Sequence, residues 1–406
     1  MNQFGARTSL LRVRAGHSRV TYVELFFDLV FVFAVTQLSH LLLEHFDPLG
    51  ILHTALLLMA VWWVWIYTAW ATNWVDPQTT PVRLMLFALM LAGLVLSTSL
   101  PQAFGSRGLA FAAAYVFMQV GRSLFMLWSL RHHHAVNFRN FQRITAWLAL
   151  GAVFWIAGGL AQDGARVALW GVALLIEYAA PAAGFWTPRL GRSTTSDWDI
   201  EGSHMAERCG LFVIIALGES ILVTGATFSK MAWTPMTVAA FAVAFVGTVA
   251  MWWIYFNIGA ERGSELIAHS DDPGRLGRLA YTYIHLLLVA GIIVAAAADE
   301  LVLAHPDGHT DWKTASAVLG GPALFLLGNL LFKRTHIRRT GLSHMVGLAL
   351  LAALIPLAPY ASPLAFAAAA TLVLVIVAVW ETRSLRGNRQ QIANRDSLEA
   401  SSPHHP

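Results

Sequence analysis

Cysteine is almost missing from this chain. Only Cys209 is present in 406 residues, so no internal disulfide can form and the redox compartment is left open. Charge is scarce too: 12% of residues are Asp, Glu, Lys or Arg, against about 25% in a soluble domain. No Walker loop, Rossmann glycine pattern, serine elbow or Cys-x-x-Cys pair occurs, so no nucleotide, hydrolase or dithiol signature is available. The first 20 residues hold four arginines and no long apolar run, so no cleavable signal peptide is expected. What fills the chain instead is hydrocarbon. It is 57% hydrophobic, with a mean hydropathy of +0.58. Together these features predict an all-α, polytopic membrane protein.

Apolar windows fall at about 21–44, 50–72, 82–100, 108–130, 142–162, 165–186, 207–228, 234–258, 279–298, 314–332, 342–360 and 362–380. A helix needs about 20 apolar residues to cross the hydrocarbon layer, so twelve spans are expected. With the N-terminus placed in the cytoplasm, 22 of the 27 Lys and Arg residues fall on the inner side. Only Arg107, Arg166, Lys230 and Lys313 fall outside, and Arg122 lies within a span. This positive-inside split predicts cytoplasmic N- and C-termini, and it explains the sequence pI near 9.4 without a nucleic-acid partner.

The halves echo each other. Ala60-Val-Trp-Trp-Val-Trp-Ile-Tyr67 resembles Ala250-Met-Trp-Trp-Ile-Tyr-Phe256, and Asp76-Pro77 is matched by Asp272-Pro273. Leu91-Ala-Gly-Leu-Val-Leu96 is matched by Val289-Ala-Gly-Ile-Ile-Val294, and Gly121-Arg-Ser-Leu-Phe125 by Gly328-Asn-Leu-Leu-Phe332. The shared order predicts two parallel six-helix repeats, since an even number of spans returns the second copy in the same orientation. The expected segments are a cytoplasmic N-terminal stretch 1–20, a first repeat 21–186, a cytoplasmic connector 187–206, a second repeat 207–380 and a cytoplasmic tail 381–406.

Ionisable groups inside the spans are few, and each costs roughly 2.5–3.5 kcal/mol or more unless it faces protein or water. Glu24 and Asp28 stand four residues apart, hence on one helix face. Gln119 and Arg122 follow in the fourth span, Glu177 in the sixth, Glu219 in the seventh and His285 in the ninth. Asp28, Arg122, Glu177 and His285 sit at a common depth of roughly 9–14 Å from the inner ends of their helices, at 1.5 Å per residue. The sharpest expectation is that Asp28 or Glu177 pairs with Arg122. The competing reading is a purely structural ion pair.

Glu24, and likewise Glu207 and Arg208, sit near helix starts, where an interfacial position is the simpler expectation. Glu219 lies near mid-bilayer with no basic residue opposite it in the eighth span, which suits a protonatable carboxyl. Trp62, Trp63, Trp65, Trp70, Trp252 and Trp253 are expected to be an interfacial or packing set. His132, His133 and His134 are consecutive loop residues without an adjacent acid, and His204 with Glu207 makes only a His-x-x-Glu. Neither predicts a metal site.

The motifs Val23-Glu-Leu-Phe-Phe-Asp-Leu-Val-Phe-Val-Phe-Ala-Val-Thr-Gln37 and His204-Met-Ala-Glu-Arg-Cys-Gly-Leu-Phe-Val-Ile-Ile-Ala-Leu-Gly-Glu-Ser-Ile221 resemble the bacterial low temperature requirement protein A (LtrA) family. The resemblance runs from about residue 15 to 385. It implies a multi-pass protein of the bacterial inner membrane, linked by name to growth in the cold, and no particular reaction. Cys209 stands where the resemblance leads one to expect a more polar residue. More weakly, Phe26-Phe-Asp28 with Thr36 resembles the Phe-Ser-Asp first helix of twelve-span, two-repeat potassium channels, although the Ser and a second Asp are missing.

Three functions compete. The leading one is movement of an ion or small polar solute along a path lined by Glu24, Asp28, Thr36, Gln119, Arg122, Glu177, Glu219 and His285, with His204, Glu207 and Arg208 opening the second repeat. A non-transporting scaffold or cold-stress sensor comes next. A lipid-modifying membrane enzyme comes last, because Asp76, Asp271, Asp272, His204 and Glu207 lack an Asp-rich spacing. No enzymatic activity and no cofactor are expected. The expected partners are the bilayer and the solute, and nothing in the sequence excludes a homo-oligomer.

Overall fold

A computed structural model describes residues 10–12, 20–131, 135–198, 200–260, 267, 270, 272–336 and 341–400. His132, His133, His134 and Asp271 lie outside them, as do most of the N-terminal stretch and the last six residues of the tail. Twelve helices among the described residues are long and apolar enough to cross a membrane. They are α1 Tyr22–Glu44, α2 Pro48–Trp74, α3 Thr80–Gln102, α4 Gly108–Leu130, α5 Ala135–Leu160, α6 Asp163–Ala182, α7 Gly202–Ser229, α8 Pro235–Asn257, α9 Pro273–Ala304, α10 Trp312–Thr335, α11 Leu342–Tyr360 and α12 Pro363–Ser384. A helix satisfies its own backbone, which is why apolar runs of this length take this form in lipid.

Several boundaries depart from the sequence expectation, among them the start of α5 at Ala135 and the end of α9 at Ala304. α7 begins at Gly202, so the connector is shorter and Arg208 sits deeper than a start at 207 would place it. α9 begins at Pro273, because Asp272 accepts from the Arg275 amide at 2.9 Å and caps a first turn that is too polar to register as apolar. Local chemistry sets other starts as well. The Asp47 carboxylate accepts from the Leu49 and Gly50 amides at 2.9 and 3.0 Å, just before Pro48 at the head of α2. Thr234 plays the same part for α8, accepting from the Thr237 amide at 3.2 Å. Gly184 and Gly191 take positive φ in the connector, a backbone shape that costs glycine least.

α1 is central. It packs on α2 and α3 of its own half and on α7 and α9 of the other. The end of the bundle where α1 starts is the proximal end, and the opposite end is distal. Two kinds of packing build the core. The first half is aromatic: Trp62, Trp63, Trp65, Trp155, Trp170 and Tyr115 are all buried. The tryptophans of α2 therefore belong to the core, whereas Trp252 and Trp253 on α8 are exposed. The second half is built on small residues. A Cβ added to Gly291 of α9 would lie 2.5 Å from the Phe325 amide nitrogen of α10, and one added to Gly321 would lie 2.6 Å from that of Ala295. Such close approach of backbones is the usual way helices associate in lipid.

Candidate functional site

The proximal end of α1 carries a buried ion network. The chain leading into it is fixed first: the Arg12 amide donates to the Trp74 carbonyl at 2.9 Å and the Asp76 amide to that of Leu10 at 2.8 Å. This holds Arg12 over the start of α1. Glu24 stands at the third position of α1, where both the amide and the hydroxyl of Thr21 donate to it at 2.9 Å. The carboxylate also takes Arg12 at 3.3 Å, Arg208 at 3.2 Å and His204 at 2.9 Å. One turn deeper, Asp28 Oδ1 accepts from Arg208 at 2.7 Å and from the Trp65 indole at 2.8 Å. Arg208 lies over the Trp65 ring and also donates to Thr72 at 3.3 Å. Glu24, Asp28, His204 and Arg208 are all fully buried.

The protonation of His204 follows from its neighbours. Asn73 Oδ1 accepts from the Glu201 amide at 2.8 Å and its Nδ2 donates to the Glu201 carbonyl at 2.9 Å, which fixes the orientation of the side-chain amide. The same Nδ2 faces His204 Nδ1 at 3.3 Å, so Nδ1 accepts and Nε2 carries the proton given to Glu24. The imidazole is neutral. Among the described residues two guanidiniums therefore face two carboxylates, which balances the charge of the network. Some atoms are left over: Asp28 Oδ2 and Arg208 Nε are buried and make no hydrogen bond.

This corrects the expected pairing. Asp28 meets Arg208, not Arg122. Equal depth along parallel helices says nothing about azimuth, and α1 turns its acidic face to α7. Arg208 also reaches deeper than an interfacial residue, because α7 starts early. Glu24 is a helix-start anion as expected, but it is buried. Glu207 does stay at the surface, accepting from the Val20 amide at 3.2 Å.

Arg122 and Glu177 form a separate group inside the first half. Glu177 accepts from the Tyr115 hydroxyl at 2.5 Å, the Trp155 indole at 2.9 Å and the Gln119 amide at 3.3 Å. Gln119 in turn accepts from Arg122, which donates also to Thr68 at 2.9 Å and to the Val64 carbonyl at 3.2 Å. The expected Arg122–Glu177 contact is thus relayed through Gln119, and among the described residues no ion pair joins the two directly. Two local features make room. A π-helical turn at Phe117–Gly121 changes the register of α4 just before Arg122. Gly151 on α5 leaves space for the acid, since a Cβ there would lie 2.8 Å from Glu177 Oε1. His285 stands apart from both groups. Its Nδ1 donates to the Ala280 carbonyl at 2.8 Å and its Nε2 accepts from Tyr255 at 2.8 Å, among Tyr281 and Phe332.

Glu219 lies on the distal part of α7. It is 2% exposed, and its Oε1 takes no hydrogen bond. Thr36 of α1 reaches its carboxyl, while also donating to the Val32 carbonyl at 3.0 Å. The neighbouring Ser220 contacts Thr248 of α8 at 3.3 Å and the carboxyl of Asp299 on α9. Among the described residues no Lys or Arg pairs with Glu219 or Asp299. Between this group and the proximal network lies an aromatic layer: Phe31 of α1, Trp62 and Trp65 of α2 and Phe212 of α7. Phe212 sits 4.4 Å from the Trp65 ring, 5.4 Å from Trp62 and 6.3 Å from Phe31, and all four side chains are buried.

Sequence reasoning passed over Arg12, Asn73, Tyr115 and Asp299 as site residues, and took Trp65 only as one of an interfacial or packing set. Asp299 had a signal, standing one residue past the expected apolar window of α9. It also passed over the ion group formed by Lys333, Ser343, His344 and Glu381, which ties together α10, α11 and α12. Among the described residues no three His, Cys, Asp or Glu side chains gather as a metal site would require.

The profile of the family described as "Bacterial low temperature requirement A protein (LtrA)" matches residues 19–379. An uncharacterized protein of Rhizobium meliloti (strain 1021) is 44% identical over 386 residues, covering 95% of this chain and 94% of its own. No solved structure matches. The two motifs that carry Glu24, Asp28, His204, Arg208 and Glu219 lie inside the matched region, and the chain belongs to the LtrA family of multi-pass membrane proteins.

Proposed function

We propose that the protein moves a small ion or polar solute across the membrane along the contact between α1 and α7. The supporting observation is a pair of unpartnered carboxylate oxygens, Asp28 Oδ2 and Glu219 Oε1, on opposite sides of the aromatic layer. An acceptor buried without a donor costs about 1–3 kcal/mol. Two of them in one helix–helix contact suit a role in which a proton or cation visits the carboxylates in turn. The layer of Phe31, Trp62, Trp65 and Phe212 then acts as the closed gate between a proximal and a distal site.

In this reading the protein is not an enzyme. Its two six-helix halves are parallel repeats, both chain ends face the cytoplasm and it resides in the bacterial inner membrane. The family description supports a role in growth at low temperature. The direct test is reconstitution into liposomes with proton, potassium and sodium flux read separately, comparing the intact protein with Asp28→Asn and Glu219→Gln. Flux that falls at least ten-fold in both variants is expected. No flux under any gradient from correctly folded protein overturns the proposal. It would favour the second reading, a scaffold or cold-stress sensor, for which the charge balance of the proximal network is the supporting observation.

A further inference from the structure

The group around Arg122 borders a cavity that the translocation reading leaves unused. It opens beside the connector between the halves and reaches down to Arg122. Arg122 lies eight residues before the end of α4, or about 12 Å deep at 1.5 Å per residue. The walls are aromatic: Trp70 and Trp74 of α2 and Trp198 of the connector. Trp74 and Trp198 lie parallel with centroids 5.5 Å apart, and Trp70 meets Trp198 edge-on at 5.9 Å. Among the described residues the fully charged side chains in the lining are two arginines, Arg122 and Arg278.

Their pairing is unusual. Arg122 is 2% exposed, yet the partners of its guanidinium are a backbone carbonyl, a hydroxyl, an amide and the Tyr67 ring. Arg278 is half-buried and donates to the Pro181 carbonyl at 2.8 Å. Neither makes an ion pair with a carboxylate among the described residues. A desolvated cation held only by neutral groups favours an incoming anion. Arg122 directly follows the π-helical segment Phe117–Gly121, and Arg278 lies within a second one, Gly277–Ile284. Such segments cost hydrogen-bond geometry and are found often at functional sites.

We infer that this cavity binds an organic anion with a flat apolar body, whose carboxylate or similar head lies between Arg122 and Arg278 and whose body lies against Trp70, Trp74 and Trp198. The site lies apart from the α1–α7 contact, so binding and flux can each succeed or fail without the other.

The test is photolabelling of the full-length protein in lipid nanodiscs with 4-benzoylbenzoate, mapped by mass spectrometry. Label is expected on residues 67–74, 141–148 and 193–198. Competition by 2-naphthoate should be about ten-fold stronger than by the neutral 2-naphthamide, the ratio expected for one charge-assisted hydrogen bond. Arg122→Gln risks misfolding, because that side chain also holds Val64 and Thr68. Arg278→Gln and Trp198→Ala are therefore the deciding variants, with folding checked by melting temperature. Each should lower labelling of the cavity about ten-fold. Label spread over lipid-facing helices, equal competition by the neutral amide, or undiminished labelling in both variants overturns the inference.

Discussion

The proximal and distal ends of the α1–α7 contact hold the same kind of side chain in opposite circumstances. At the proximal end, Glu24 and Asp28 face Arg12 and Arg208, and both carboxylates are held by guanidiniums. At the distal end, Glu219 and Asp299 have hydroxyl neighbours, Thr36 and Ser220, with the His40 imidazole also facing Glu219. Removing one member of a balanced buried network strands a charge, so the proximal end is where stability is concentrated. An acid with no Lys or Arg partner can lose its charge cheaply, so the distal end can change state without unfolding its surroundings. The aromatic layer keeps the two regimes apart.

Four measurements would sharpen or break that contrast. The largest effect should come from Arg208→Leu, which leaves two carboxylates buried without their shared cation. A loss of about 3–5 kcal/mol is expected, read as melting temperature in detergent. Adding Asp28→Leu to that variant should restore part of it, and a purely additive double variant would show that the pair is uncoupled. Phe212→Ala should cost nearly as much, about 3 kcal/mol, through the cavity it opens. If the layer is a gate, this variant should also leak ions when reconstituted, and unchanged leak would deny it that role.

Glu219→Gln should change stability by less than about 1 kcal/mol, because Oε1 gives up no hydrogen bond. A loss as large as that of Arg208→Leu would mean the distal acid is structural after all. The smallest effect concerns the cap of α2. The Gly50 and Leu49 amides hold the Asp47 carboxylate below its ordinary pKa. Its contribution is therefore present above the unfolded value of about 3.9 and fades as pH falls through the lower, folded value. Asp47→Ala should melt earlier near neutral pH, and the gap should narrow in acid. A gap independent of pH would show that the charge of the cap is irrelevant.

Much of the architecture was legible in the order of residues. Twelve apolar stretches of bilayer length give twelve helices, because lipid leaves the backbone no partner but itself. Glu24, Asp28, Glu177 and Glu219 could be picked out as buried because charge is so rare in these stretches. Their partners could not. Rise per residue gives depth, and depth placed Asp28 level with Arg122, yet the facing direction of α1 depends on which neighbour it packs against. Arg208 read as interfacial because Gly202-Ser-His-Met-Ala206 is too polar for an apolar window, although it is helical and buried. Arg12 carried no signal at all, since its place over Glu24 depends on two backbone hydrogen bonds to residues more than sixty positions away.

The chain by itself determined that it crosses a membrane many times and that a handful of charges must be hidden from lipid, because transfer free energies act residue by residue. Only the tertiary structure decided which acid meets which base. It also decided that α2 turns its tryptophans inward, that Gln119 stands between Arg122 and Glu177, and that an arginine-edged aromatic cavity lies beneath the connector. Those outcomes depend on helix azimuth and on π-helical register shifts, which arise only when all twelve helices compete for the same space.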